Sequence, residues 1–308
     1  MIAQINPIVG DVEGNKALLL AAYQEAVDQN ADLLVAPELV TVGYPPEDLL
    51  LTPEIAKQYT QVARQIASVT TATGLVFGTP WYEAGALYNA AVFASDGRIQ
   101  HIYFKTMLPN YGVFDEKRIF SPGNNVKIFE WKGQKLALMI CEDVWYLENA
   151  LALSRQHVDR VIAVNASPFE AGKLAQRRHV VAQFAQTARS PVVYVNMVGG
   201  QDDIVFDGAS FIMDAAGYVT YQCPQFAAGV FKIPALLPEA PRAAIAPDAP
   251  LPEQLWNAMA MGLRDYVDKN GFQGVLLGLS GGIDSAVTAA VAVDALGAGD
   301  PIFEIGLT

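Results

Sequence analysis

The sequence predicts an α/β protein: a four-layer α-β-β-α sandwich, followed by the beginning of a doubly wound α/β nucleotide-binding domain. Three observations carry that expectation. Short apolar runs alternate with helix-length segments through about the first 230 residues, the order of those segments nearly repeats, and a proline-rich break precedes a last strand-turn-helix pattern.

In the first half, "IAQINPIV" and "DLLVAPEL" read as strands around a helix whose apolar face would be Ala17, Leu18, Ala21, Ala22 and Ala26. A second helix over roughly 54–72 leads into "GLVFGTP". A hairpin of "LYNAAVFA" and "RIQHIYF" follows, joined by Ser95-Asp96-Gly97, where Gly97 suits a positive φ. The second half opens on a hairpin of "VKIFEW" and "KLALMI" around Lys132-Gly133, then a helix near 147–157 and the strand "RVIAVNA". A helix over 172–189, the strand "PVVYVN" and a hairpin of "ASFIMD" and "YVTYQ" turned by Ala216-Gly217 complete it. Two such layers can pack sheet on sheet with helices outside.

The break is "IPALLPEAPRAAIAPDAPLP", residues 233–252, which holds six of the 18 prolines. Proline at that density disfavours helix and sheet and gives an extended connector. It divides the chain into residues 1–232, a linker over 233–252 and a final segment over 253–308.

With 52% apolar and 17% charged residues, the 308-residue chain has material for a sizeable core. A net charge of −12 argues against binding a nucleic-acid backbone or an anionic membrane, since both reward clustered Lys and Arg. The two cysteines, Cys141 and Cys223, suit a reducing compartment better than a disulfide framework. No basic leader and no membrane-length apolar run is evident, so a cytoplasmic protein is expected.

Three polar residues end apolar runs: Glu38 after "DLLVAP", Lys105 after "IQHIYF" and Cys141 after "KLALMI". Reactive groups in α/β sheets gather past the carboxyl ends of strands. Each residue alone has an ordinary explanation, as a loop carboxylate, a solvated lysine and an inert core thiol. Together they suffice for amide cleavage through a thioester. The carboxylate takes the thiol proton, the ammonium meets the developing oxyanion, and the backbone N–H after Cys141 adds a second donor.

In that order, "APEL", "FKTMLPNYGVFDEKRIF" and "MICEDVW" resemble the nitrilase (carbon-nitrogen hydrolase) superfamily over roughly residues 2–230. Within it they look most like glutaminase domains of the glutamine-dependent NAD synthetase family. The resemblance implies Glu38 as general base, Lys105 as oxyanion stabiliser, Cys141 as nucleophile and Glu116 as a supporting carboxylate. It places Tyr111 and Trp145 in the substrate pocket, and Ser167 and Lys173 at the α-carboxylate and amino end of glutamine. Ser167 also fits as a helix N-cap, and Lys173 as an exposed first-turn residue. Glu142 and Asp143 are expected to be structural and turned away from the thiol, whose pKa they would otherwise raise. His101, His157 and His179 lack ligand spacing, so no metal is expected in this domain.

In "GVLLGLSGGIDSAVTAAV" a strand enters Gly278-Leu279-Ser280-Gly281-Gly282-Ile283-Asp284-Ser285 and a helix begins near Asp284. Free N–H groups and the positive end of the helix dipole would then face an anion. The Lys-Ser/Thr pair of a Walker loop is absent. "SGGIDS" resembles the pyrophosphate loop of the N-type ATP pyrophosphatases, which implies ATP binding and, in a complete domain, Mg2+. The amphipathic "LPEQLWNAMAMGLRDYVDKNG" before it fits that domain's start, with Gly271 as its stop. Only 56 residues follow the linker, and the final "GAGDPIFEIGLT" does not resemble the family's next strand, so a truncated second domain is expected.

The implied substrates are glutamine, ATP and nicotinic acid adenine dinucleotide, which is amidated to NAD, with glutaminase chemistry retained in this chain. A homo-oligomer is expected from the resemblance alone. The rivals are a stand-alone amidase of the same superfamily and a non-catalytic assembly module.

Overall fold

The structure is a computed structural model. It describes residues 1–124, 126–233, 245 and 248–297, together with the backbone of 302–306. The first half runs β1 (Ile2–Gln4), α1 (Val12–Asp28), β2 (Leu33–Val35), α2 (Pro53–Ser68), β3 (Gly74–Glu83), β4 (Ala86–Ser95), β5 (Arg98–Phe104) and the one-turn α3 (Glu116–Ile119). The second runs β6 (Ile128–Trp131), β7 (Gln134–Ile140), α4 (Leu147–Ser154), β8 (Arg160–Asn165), α5 (Lys173–Ala188), β9 (Val192–Asn196), β10 (Val198–Gln201), β11 (Ile204–Asp207), β12 (Phe211–Met213), β13 (Val219–Gln222) and β14 (Gly229–Phe231). The last segment holds α6 (Leu251–Asn270), β15 (Val275–Leu279), α7 (Ile283–Leu296) and β16 (Ile302–Gly306).

Two six-stranded sheets form, ordered β14-β1-β2-β3-β4-β5 and β13-β12-β9-β8-β7-β6. Each has a parallel centre, β1-β2-β3 or β7-β8-β9, flanked by antiparallel strands. The period of two in a strand sorts side chains between layers. Leu34, Leu75, Phe77, Ala90, Val92 and Ala94 pack with Leu19, Ala22 and Ala26 of α1 and Val62, Ala63 and Ile66 of α2. The intervening Val35, Val76, Ala91 and Phe93 join the core that contains Leu136, Leu138 and Ile140 of the other sheet. Leu136 to Ile140 are all buried, as parallel strands covered on both faces require, with Val181, Phe184 and Ala185 of α5 in the same core. The α-β-β-α sandwich is therefore as expected.

Two of the three predicted hairpin turns hold positive φ at successive residues, 51° and 75° at Asp96 and Gly97, and 48° and 73° at Lys132 and Gly133, while at Ala216-Gly217 only the glycine does, at 87°. The apolar face of α1 differs from expectation. Its buried positions are Asn15, Leu19, Ala22, Tyr23 and Ala26, whereas Ala17 and Ala21 are exposed, because Leu19 and Tyr23 offer more area to bury than two alanines. The hairpin β10-β11 went unforeseen, since "VGGQDDIVFD" hides its strands behind two glycines and a pair of aspartates.

The linker drawn at 233–252 lies largely outside the described residues, although Leu251 and Pro252 already belong to α6. That helix ends at Gly271, with φ 68°, as foreseen. It docks on the hairpin β10-β11 through Asp265, which accepts from Asn6 Nδ2 and the Gly200 N–H, both at 2.6 Å. Lys269 Nζ donates to Asn6 Oδ1 at 2.7 Å, Pro7 O at 3.0 Å and Gly200 O at 2.7 Å. Gly200 permits this approach, because a Cβ there would lie 2.9 Å from Gly262 Cα.

The tail contributes one more strand. β16 pairs in parallel with β15, from Val275 opposite Ile302 to Leu279 opposite Gly306. Its Ile, Phe and Ile are strand-forming types. Among the described residues, no helix is long and apolar enough to cross a membrane.

Candidate active site

Glu38 and Cys141 follow the carboxyl ends of β2 and β7, parallel strands at the centres of facing sheets. Sharp local backbone turns each of them. Leu39 has φ 46° and Cys141 has φ 44°, left-handed values that non-glycine residues seldom adopt. Gly78 of β3 lets the first turn pass, since a Cβ there would sit 2.2 Å from Leu39 N and 2.5 Å from Glu38 Cα.

The side chains meet in a buried polar knot. Lys105 Nζ lies 2.7 Å from Glu38 Oε1 and 2.7 Å from Glu116 Oε1. Tyr44 donates its hydroxyl to the same Glu116 oxygen at 2.9 Å. Glu38 Oε1 also accepts Asn89 Nδ2 at 2.7 Å, while its Oε2 accepts the Ala166 N–H at 2.8 Å from the loop after β8. Glu38 therefore bridges both sheets. Burial opposes the Lys105 ammonium, but Glu116 and Glu38 together hold its pKa well above the ordinary value. Burial raises Glu116 to about 7, with Lys105 acting against that rise.

Cys141 is buried, and burial pushes its thiol pKa well up. The Glu38 charge adds to the rise and the Lys105 ammonium opposes it, so both charges are felt at the sulfur. The resting group is a thiol, and its reaction requires a base.

Tyr111, more than half exposed, donates its hydroxyl to Glu142 at 2.9 Å. Lys173, the first residue of α5, holds Nζ 5.2 Å from the centre of the Trp145 ring and 3.6 Å from Glu170. Its charge also acts on Glu142. Tyr111, Glu142, Lys173 and Trp145 thus interact in turn. Ser167 is not a helix cap: α5 begins at Lys173 behind Gly172. Its buried hydroxyl instead accepts Arg177 Nε at 3.0 Å, and Arg177 pairs with Asp207 at 2.7 Å.

The two acids after Cys141 part company. Asp143 is turned away as expected, accepting from Tyr103, from the Thr106 N–H and hydroxyl, and from the Met107 and Ile140 N–H groups. It fixes the loop that follows Lys105. Glu142 departs from the expectation, because its charge raises the Cys141 pKa and its carboxylate meets Tyr111. Sequence reading also missed Asn89, Tyr44, Gly78 and the Arg177–Asp207 pair. For Asn89 a signal existed: it is a polar residue inside the apolar strand "LYNAAVFA".

In the last segment, Ser280 Oγ lies 3.2 Å from Ser285 Oγ, and Ser285 donates to Gly282 O at 3.0 Å. Gly281, at φ 79°, would have nothing within 4 Å of an added Cβ among the described residues, so the loop is open on that side.

Residues 2–234 match the carbon-nitrogen hydrolase family, and residues 255–303 match NAD synthase. The glutamine-dependent NAD(+) synthetase of Acinetobacter baylyi is 41% identical over 96% of this chain and 55% of its own length. That of Thermotoga maritima is 36% identical over 96% of the chain and 58% of its length. The chain therefore spans a little over half the length of these curated relatives. The solved glutamine-dependent NAD+ synthetase from Acinetobacter baumannii, in complex with adenosine diphosphate, superposes with a TM-score of 0.92 at 38% identity, covering 100% of this chain and 59% of that one. A solved mutant of the Nesterenkonia AN1 amidase, from the nitrilase superfamily, covers 74% of this chain and 86% of its own, at 25% identity and a TM-score of 0.64. With the fold, the ordered Glu-Lys-Cys motifs and a family match over residues 2–234 in agreement, the chain belongs to the carbon-nitrogen hydrolase family.

Proposed function

We propose that the first 232 residues hydrolyse the side-chain amide of glutamine to glutamate and ammonia, and that Glu38, Lys105 and Cys141 carry the reaction. Glu38 takes the thiol proton as sulfur attacks the amide carbon, and Lys105 faces the oxygen on which charge develops. Glu38 returns that proton to the departing nitrogen, so ammonia leaves and a thioester remains. Water then gives a proton to Glu38 and attacks the thioester. Glutamate departs, and the proton returns to Cys141. Glu116, joined to Lys105 and Tyr44, supports the ammonium. At the mouth, Glu142 and Lys173 offer opposite charges to a zwitterionic amino-acid end, with Tyr111 and Trp145 beside them. Ser167 acts here through Arg177, as a support for the pocket wall.

The single observation that carries this reading is the buried contact of Lys105 with both Glu38 and Glu116, whose charges act on the buried Cys141. In a longer protein of the kind this chain resembles, the ammonia would serve ATP-dependent amidation of nicotinic acid adenine dinucleotide to NAD. The loop fits the phosphates: its hydroxyls are exposed, Gly281 leaves room, and α7 begins at Ile283 directly behind it. Gly278 to Ser285 would hold ATP, which when bound supplies activation of the acid by adenylation. Mg2+ would accompany ATP in a complete domain.

The test is ammonia release from glutamine by this chain and by its Cys141→Ala variant, with asparagine and simple ω-amides alongside. Turnover is expected for glutamine and lost in the variant. Preference for another amide would favour a stand-alone amidase. No glutamine turnover, either here or with a complete second domain attached, would end the proposal.

A further inference from the structure

A carboxylate offers about four lone-pair directions, two on each oxygen. In Glu38 three are occupied. Oε1 takes both Asn89 Nδ2 and Lys105 Nζ at 2.7 Å, and Oε2 takes the Ala166 N–H at 2.8 Å. One direction remains, and it belongs to Oε2. Resting on the glutaminase reading above, we propose that Oε2 is the oxygen that exchanges the proton with Cys141, and that Asn89 is a positioning residue which reserves it by completing Oε1.

The placement of Asn89 supports this role. It lies in β4 and its carbonyl accepts the Lys105 N–H at 2.9 Å, so ammonium and amide are held by one strand pair. The orientation of its amide is fixed by chemistry: a charged carboxylate oxygen only accepts, so Nδ2 must face Glu38. The consequence is visible on the other side of the group, where Asn89 Oδ1 is buried without a hydrogen-bond partner among the described residues. An unmatched buried acceptor is unfavourable, and the bond from Nδ2 to the Glu38 carboxylate offsets it.

Removing the Nδ2–H donor frees the carboxylate to turn, so that Lys105 and the thiol compete for its oxygens. Fewer molecules then hold Oε2 ready for the thiol proton, which slows thiolate formation at Cys141 without touching the pocket that receives the substrate.

The experiment measures the rate of iodoacetamide alkylation of Cys141 at pH 7, in the unmodified chain and in Asn89→Leu and Asn89→Ala. Peptide mass spectrometry separates Cys141 from Cys223, and urea unfolding gives the folded fraction of each variant. Glutamine turnover is followed in parallel. Per folded molecule, alkylation is expected to fall roughly tenfold in both variants. In turnover, kcat should fall with KM little changed. A purely structural role would lower the amount of folded protein but leave the rate per folded molecule in place. An unchanged rate in a folded variant overturns the role of Asn89 while leaving the glutaminase reading intact. Failure of Cys141 in the unmodified chain to label at all overturns the proton path itself. Slowed labelling without glutamine turnover would uphold Asn89 and move doubt to the substrate.

Discussion

The two chemical centres are built in opposite ways. At the end of the sandwich, Glu38 and Lys105 are buried to within 1% exposure, and every charged group there leans on another element. In the loop from Ser280 to Ser285 the hydroxyl contacts are local and exposed, and neighbouring Leu276 and Ile283 are 65% and 76% exposed. The first centre derives its electrostatics from exclusion of water, which strengthens each interaction and also makes each one costly to break. The second rests on backbone geometry near a helix start, which survives the loss of any one side chain. Chemistry made by burial is thus coupled to the fold, whereas anion binding made by a short turn is nearly independent of it.

Changes at the buried centre should therefore affect both activity and stability. Cys141→Ala removes the proposed nucleophile, and glutamine-dependent ammonia release should drop to background in a coupled assay. Lys105→Met leaves two buried carboxylates without their cation. Breaking a buried pair in this way costs about 3–5 kcal/mol, to be read as a lower urea midpoint. An unchanged midpoint would mean that the site is wetter than its geometry indicates.

Glu116→Gln should act more gently and in a defined pH window. Burial holds the folded-state value at about 7, above the 4.5 of a free glutamate. Glu116 then contributes stability that is full below about 4.5 and is lost as pH rises through about 7. The variant cannot titrate, so its stability should fall less between those values; parallel curves would remove the claim. Least of all, Ser280→Ala and Ser285→Ala should each change unfolding stability by less than about 0.5 kcal/mol, as exposed substitutions do. A loss of several kcal/mol at either serine would abolish the contrast between the two centres.

Much of this was legible in residue order. Alternating runs gave the layers, Asp96-Gly97 and Lys132-Gly133 gave the turns, and Glu38, Lys105 and Cys141 stood out because polar groups closed apolar strands. The misses share a cause. The face of α1 was read from the spacing of alanines, but packing chose Leu19 and Tyr23. Glu142 and Asp143 look alike on paper, yet five donors draw Asp143 into a loop while Glu142 joins Tyr111 and Lys173. Asn89 and Gly78 carry no motif, and their importance exists only because β3 and β4 run beside Glu38.

By itself, then, the sequence determined the set of elements, their order and the types of reactive group, because periodicity and turn chemistry act over a few residues at a time. Tertiary structure alone decided how the donors are shared between the two oxygens of Glu38, which of two adjacent acids is drawn into the loop after Lys105 and which meets Tyr111, and that burial raises the thiol pKa. Those outcomes depend on distances between residues tens of positions apart, and on the removal of water from between them. No local pattern encodes either one.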